Sequence, residues 1–181
     1  MQRGWMAHGV HLYDELVRIA LVARWPARLP GGYRVTAPVG LVDVAPTVLS
    51  LLGLPAMPAE GLDLSSGLRR RAEMPLERAL YFQRRPYVAK RHRGWDVSQP
   101  LLGLRRGTWK YLQTEDGAGA LFDLSADPGE TRDLGKAQAD TAAALAAELR
   151  AWQEAQSAGA PAAQQIGPED KARLRALGYI E

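Results

Sequence analysis

Apolar residues run without a polar break from Ile19 to Ala23, inside "RIALVARW" (Arg18–Trp25). A run apolar on both faces predicts a strand over 18–25, covered on both sides as in a parallel sheet. Pro26 and the "LPGG" of Leu29–Gly32 end it. No second run of this kind follows, so its sheet partners are expected elsewhere. "VDVAPTVLSLLGLP" (Val42–Pro55) predicts a helix over 43–53. Asp43 suits its N-terminus and Pro46 its first turn, where a missing N–H costs nothing. Val44, Val48, Leu51 and Leu52 fall on one face, Gly53 suits a left-handed ending, and Pro55 blocks continuation.

From Leu54 to Glu77 the pattern breaks down into a loop, with proline at 55, 58 and 75 and glycine at 61 and 67. Four short strands are predicted next: Arg78–Gln83, Pro100–Arg106, Thr108–Gln113 and Gly119–Leu124. Gly107 alone, and then "TEDGA" (Thr114–Ala118), separate the last three. Connections this short join antiparallel neighbours. In "SADPGETRDLG" (Ser125–Gly135), Pro128–Gly129 suits the centre of a type II turn. Residues 137–156 predict a long Ala-rich helix with Leu145, Leu149 and Trp152 on one face. "SAGAPAA" (Ser157–Ala163) is a linker. "GPEDKARLRALGYI" is a closing helix with Pro168 first, acids early, bases late and Gly178 as its stop, where Tyr179 could fold back onto Leu174.

The order of these elements resembles the C-terminal part of the sulfatase family, within the alkaline-phosphatase-like superfamily. The residues that carry the likeness are "HGVHLYDELVRIALVARWP" (His8–Pro26), "GLVDVAPTVLSLLGLP", "EGLDLSSGL", "GTWKYL", "LFDLSADPGETRDL" and "ARLRALGYIE". The likeness implies an α/β fold of partial alkaline-phosphatase-like type. One edge of the central sheet is expected, followed by a small antiparallel sheet packed by a C-terminal helix. It divides the chain into the end of a core α/β domain (1–77), an antiparallel subdomain with its helix (78–156), and a linker with terminal helix (157–181).

The activity implied is hydrolysis of a sulfate ester. Family members use a cysteine or serine in C/S-x-P-x-R, oxidised to formylglycine, and a divalent cation, typically calcium, on Asp and Asn or His ligands. The chain has no cysteine. Its nearest serine match, "SQPLL" at Ser98–Leu102, puts leucine where arginine is required. No Asp-Asp pair is available for metal ligation, so metal ligands and nucleophile are expected outside these residues. The chain alone is then expected to be inactive, with Met1 an internal or misassigned start, or the product one half of a split gene with a complementing chain. Two alternatives stay open. One is phosphodiester or phosphonate hydrolysis in the same superfamily. The other is a non-catalytic module that binds an anionic glycan or a partner subunit.

His8 is the candidate for contact with the sulfate or leaving group, as donor or cation. A metal pair of His8 with His11 would need a third ligand, Asp14 or Glu15. Both acids read more simply as structural, with Arg18 close enough to neutralise one. Ala20 stands where the family usually has proline. "RRPYVAKRHRGW" (Arg84–Trp95) reads as a solvated loop, or as a cleft rim whose Arg84, Arg85, Lys90 and Arg91 attract a sulfated small molecule or glycan. His92, among like charges, reads as solvated. Lys110 reads as a strand residue with its head in water.

The remaining composition adds limits. The 181 residues are 46% hydrophobic and 24% charged, ordinary values for a globular chain. A net charge of +3 does not call for nucleic acid. The apolar run is too short and too flanked by charge for a membrane span or a signal peptide. Localisation stays open, a periplasmic or secreted full-length form being compatible with it.

Overall fold

The computed structural model describes residues 9–72, 74, 77–86, 91–92, 95–96, 98–159 and 167–176. Its centre is a four-stranded antiparallel sheet. The strands are β1 (Ala79–Arg84), β4 (Leu101–Arg106), β5 (Trp109–Thr114) and β6 (Gly119–Asp123), in that spatial order. β2 (Arg91–His92) and β3 (Trp95–Asp96) form a separate two-stranded ribbon. All four strands expected between 78 and 124 are present, within a residue or two of their expected ends. Gly107, at φ 57°, turns β4 into β5 in two residues, and this positive φ favours glycine. The register sets Leu104 opposite Tyr111 and Tyr111 opposite Leu121 on one face. Arg105, Lys110 and Phe122 share the other.

Each face is covered. α4 (Ala139–Gly159) sends Glu148 to Tyr81 and Arg106 on the first, and Leu145 and Leu149 of the same helix are buried. Burial and the Glu148 carboxylate push the Tyr81 phenol above its ordinary value. On the second face Leu12 packs into a core with Leu112 and Phe122, edged by Tyr13, Val17 and Phe82. Burial on both faces explains why β5 is buried over Lys110–Leu112 and does not alternate in and out.

Several expectations are corrected. Residues 18–25 form no strand, and Ile19, Leu21 and Val22 are 57%, 58% and 87% exposed. The apolar run lacks a neighbouring strand among the described residues, and an unpaired strand has no ladder to hold it. A four-residue helix, α1 (Asp14–Val17), precedes it.

The helix after it is found, as a 3-10 turn (Leu41–Asp43) running into α2 (Val44–Leu52), with Gly53 left-handed at φ 72°. Asp43 does not cap α2 with its side chain. It is buried, and its carboxylate accepts the N–H groups of Gly40 and Leu62, each at 2.8 Å, and Arg78 Nη1 at 2.7 Å. Of the expected apolar face only Leu51 is buried, beside Thr47; Val48 and Leu52 are exposed.

The 54–77 loop contains a further helix, α3 (Ser65–Arg70). Asp63 Oδ1 accepts the Ser65 N–H at 2.8 Å, which serves its first turn. Thr47 Oγ1 accepts the Leu64 N–H and the Ser50 and Ser65 hydroxyls bond, so polar contacts hold α3 to α2. After β6 the turn Asp127–Glu130 closes as expected, but its positive φ falls on Glu130 (52°) and not on Gly129, so it is not type II.

By contacts the chain divides into two compact units, residues 1–149 and 150–181. α4 runs to Gly159, past the expected end at 156, and α5 (Pro168–Ala176) lies in the second unit. Gly178 and Tyr179, expected to end it, lie outside the described residues. Among the described residues no helix is long and apolar enough to cross a membrane.

Candidate functional site

The site is built on Asp14. This residue opens α1, and Lys110 of β5 comes up beneath it from the sheet. Lys110 is fully buried and its Nζ lies 2.7 Å from Asp14 Oδ1 and 2.8 Å from Glu130 Oε1. Glu130 Oε2 also accepts the Asp14 backbone N–H at 2.5 Å. Arg105 Nη1 stands 3.9 Å from Asp14 Oδ2, so two cations face two carboxylates. Phe82 lies beneath the ammonium, its ring centroid 5.7 Å away. An ammonium taken wholly out of water is held only where carboxylates replace its hydration. Glu130 reaches Lys110 from a left-handed backbone, which costs a non-glycine residue roughly 1–3 kcal/mol.

Residues on either side of Asp14 line a cleft of about 370 Å³. Gly9, His11, Leu12, Leu16 and Val17 form one wall, and Gln83–Pro86 at the end of β1 form the other. His11 is buried. Its Nδ1 accepts the Tyr13 N–H at 3.3 Å and its Nε2 lies 3.3 Å from Glu15 Oε1. Arg84 is buried in the opposite wall, its guanidinium donating to the carbonyls of Gln99 (2.8 Å) and Arg85 (3.4 Å). Arg85 is exposed and lines the same cleft. The arrangement offers cations and a half-apolar floor, which suits an anionic group carried on a compact organic body.

A family model described as N-sulphoglucosamine sulphohydrolase, C-terminal, matches residues 2–156. The chain belongs to the sulfatase family. Among curated sulfatases, mouse arylsulfatase K is 32% identical over 127 residues, covering 68% of this chain and 22% of the relative. Delta 4,5-hexuronate-2-O-sulfatase of Bacteroides thetaiotaomicron is 29% identical over 136 residues, covering 70% of this chain and 26% of the relative. The chain thus spans about a quarter of the length of the sulfatases it matches. A protein solved in complex with its substrate D-glucosamine-2-N,6-O-disulfate shares the fold, with a TM-score of 0.66 and 24% identity over 86% of this chain and 31% of that one.

Within this sulfatase portion, Arg84 and Arg85 come together on one cleft wall with His11 opposite. His8 and Lys90 lie outside the described residues; of Arg91 and His92 only the backbone, in β2, is described. Asp14 is neutralised by Lys110 and Arg105, and Glu15 faces His11, so neither relies on Arg18. Lys110 does not have its head in water; it is the most deeply buried charge of the sheet. Its signal in the sequence is its place two residues before Leu112, on the same face of β5. His11, considered only as a metal partner of His8, is the histidine that lines the cleft among the described residues.

The divalent cation of the family does not fit the described residues. No group of three or more His, Cys, Asp or Glu is placed to hold a metal among them. The buried acids are already engaged, Asp43 by Arg78 and Glu130 by Lys110, and the half-buried Asp14 also by Lys110.

Proposed function

We propose that this chain is the C-terminal part of a sulfuric ester hydrolase acting on sulfated saccharides, and that it supplies one wall of the substrate cleft. The match of a sulfatase C-terminal model over residues 2–156 carries the reading. The nucleophile and the cation come from another part of the protein or from a complementing chain. Without them these 181 residues hydrolyse no sulfate ester, in keeping with a sequence that has neither cysteine nor S-x-P-x-R. The exposed apolar segment Ile19–Val22 is the face against which that other part packs, since contiguous apolar surface marks an interaction site. Sulfated sugars are supported as substrates by the hexuronate sulfatase among the relatives and by the disulfated glucosamine in the structural neighbour. His11, Arg84 and Arg85 are the described residues of this chain that meet the sugar sulfate, and His8, Lys90 and Arg91 are the further candidates from the sequence for the same contact.

Calorimetric titration of the chain with glucosamine-2-N,6-O-disulfate tests the substrate reading. Binding that weakens at least fivefold in Arg85→Ala, and is absent with unsulfated glucosamine, supports it. Equal binding of the two sugars, or none of either, counts against it.

A further inference from the structure

We infer that Lys110, Asp14 and Glu130 are positioning residues, a buried clamp that sets the wall of the substrate cleft. The inference rests on reading that cleft as the sugar-facing site. Three costly features meet at one point of the chain: a fully buried ammonium, the buried carboxylate of Glu130, and a non-glycine residue held left-handed. An apolar core would have held β5 against α1 without any of them. What the ionic contacts add is direction. Glu130 takes the backbone N–H of Asp14 with one oxygen and Lys110 with the other, and Lys110 takes the Asp14 side chain. Backbone and side chain of one residue are thereby fixed together.

That residue lies in the chain between the two stretches that form this cleft wall. Gly9, His11 and Leu12 precede Asp14, while Leu16 and Val17 follow it on α1. α1 is a single turn, closed by the N–H groups of Leu16 and Val17 on the Tyr13 carbonyl and of Arg18 on the Asp14 carbonyl. One turn does not hold itself in water. The clamp therefore decides whether the turn forms and where His11 points, although Lys110 and Glu130 do not line the cleft.

The test is amide hydrogen exchange on the full 181-residue chain carrying Lys110→Met or Glu130→Gln. A glutamine keeps an oxygen at only one of the two positions, so its NH2 would face either the Asp14 N–H or the Lys110 ammonium, donor against donor. Protection of Leu16, Val17 and Arg18 is expected to fall at least tenfold in each variant, with β5 and β6 amides within twofold of the original. The His11 ring resonances are expected to move with it. Lys110→Met strands two carboxylates; should it not fold, Glu130→Gln decides alone. A uniform loss of protection across the sheet would mean a merely structural role and overturns the inference, as does unchanged protection at residues 16–18. Affinity for glucosamine-2-N,6-O-disulfate, measured alongside, is expected to drop at least fivefold. Local loss of protection in a chain that never binds the sugar would sink the substrate reading and leave the clamp standing.

Discussion

Asp43→Ala removes the one acceptor that three donors from separate segments share. Gly40 and Leu62 would each lose a partner for a backbone N–H, and Arg78 its carboxylate. Asp43 is 1% exposed and the Arg78 side chain 15%, so water reaches the arginine in part and the carboxylate hardly at all. Breaking a buried pair from one side costs about 3–5 kcal/mol. Partial access for Arg78 places this loss near the lower end, about 3 kcal/mol. Arg78→Ala leaves the carboxylate with its two backbone donors and should cost less, about 2 kcal/mol. Urea unfolding followed by far-ultraviolet circular dichroism measures both, with an unchanged m value confirming that stability alone has moved. A loss below about 1 kcal/mol for Asp43→Ala, or a larger loss for Arg78→Ala, would refute the view that this carboxylate joins the 40–43 turn, residue 62 and the start of the sheet.

Leu149, fully buried on α4, should cost about 3 kcal/mol on truncation to alanine, read in the same urea experiment. Replacing Ile19, Leu21 and Val22 together by serine should change the stability of the chain by less than about 0.5 kcal/mol per site, because all three already face water. The same change should reduce self-association in analytical ultracentrifugation, and a large loss of stability would show that the segment packs within the chain. The Ser125 hydroxyl and backbone N–H hold the Asp123 carboxyl below the usual carboxylate range. A lowered folded value stabilises the fold above the unfolded value of about 3.9, and the gain is lost as pH falls through the folded one. Asp123→Asn should therefore flatten the decline in stability below about pH 4, and an unaltered acid limb would contradict the assignment.

The antiparallel sheet was legible in the sequence because its evidence is local. Each strand is a short apolar run, and Gly107 or "TEDGA" leaves room only for a tight return. α2 was legible for the same reason, its proline, glycine and second proline marking both ends. What escaped depends on contacts distant in the chain. Asp43 looks like a helix cap until Leu62 and Arg78 arrive, 19 and 35 residues later. Lys110 looks solvated until Asp14, 96 residues earlier, is folded over it. α3 was hidden because Asp63, Thr47 and Ser50 hold it through polar contacts, which leave no apolar period to read. Residues 18–25 were read correctly as apolar and wrongly as a strand, since pairing is a property of the neighbour as much as of the run. In the candidate cleft, charge marks Arg84 and Arg85 in the sequence, whereas the setting of His11 comes from Tyr13, Glu15 and the cleft itself.

Sulfate release from glucosamine-2-N,6-O-disulfate is the most direct measurement of what this chain is for. It should be followed with the purified 181 residues alone, and with the same residues joined to a sulfatase N-terminal part carrying C-x-P-x-R, each with added calcium. The chain alone should release nothing above background. The joined protein should turn the sugar over, and should lose that turnover when Ile19, Leu21 and Val22 are replaced by serine. Release by the chain alone, or none from a folded joined protein, would contradict a cleft wall that waits on its nucleophile and cation from elsewhere.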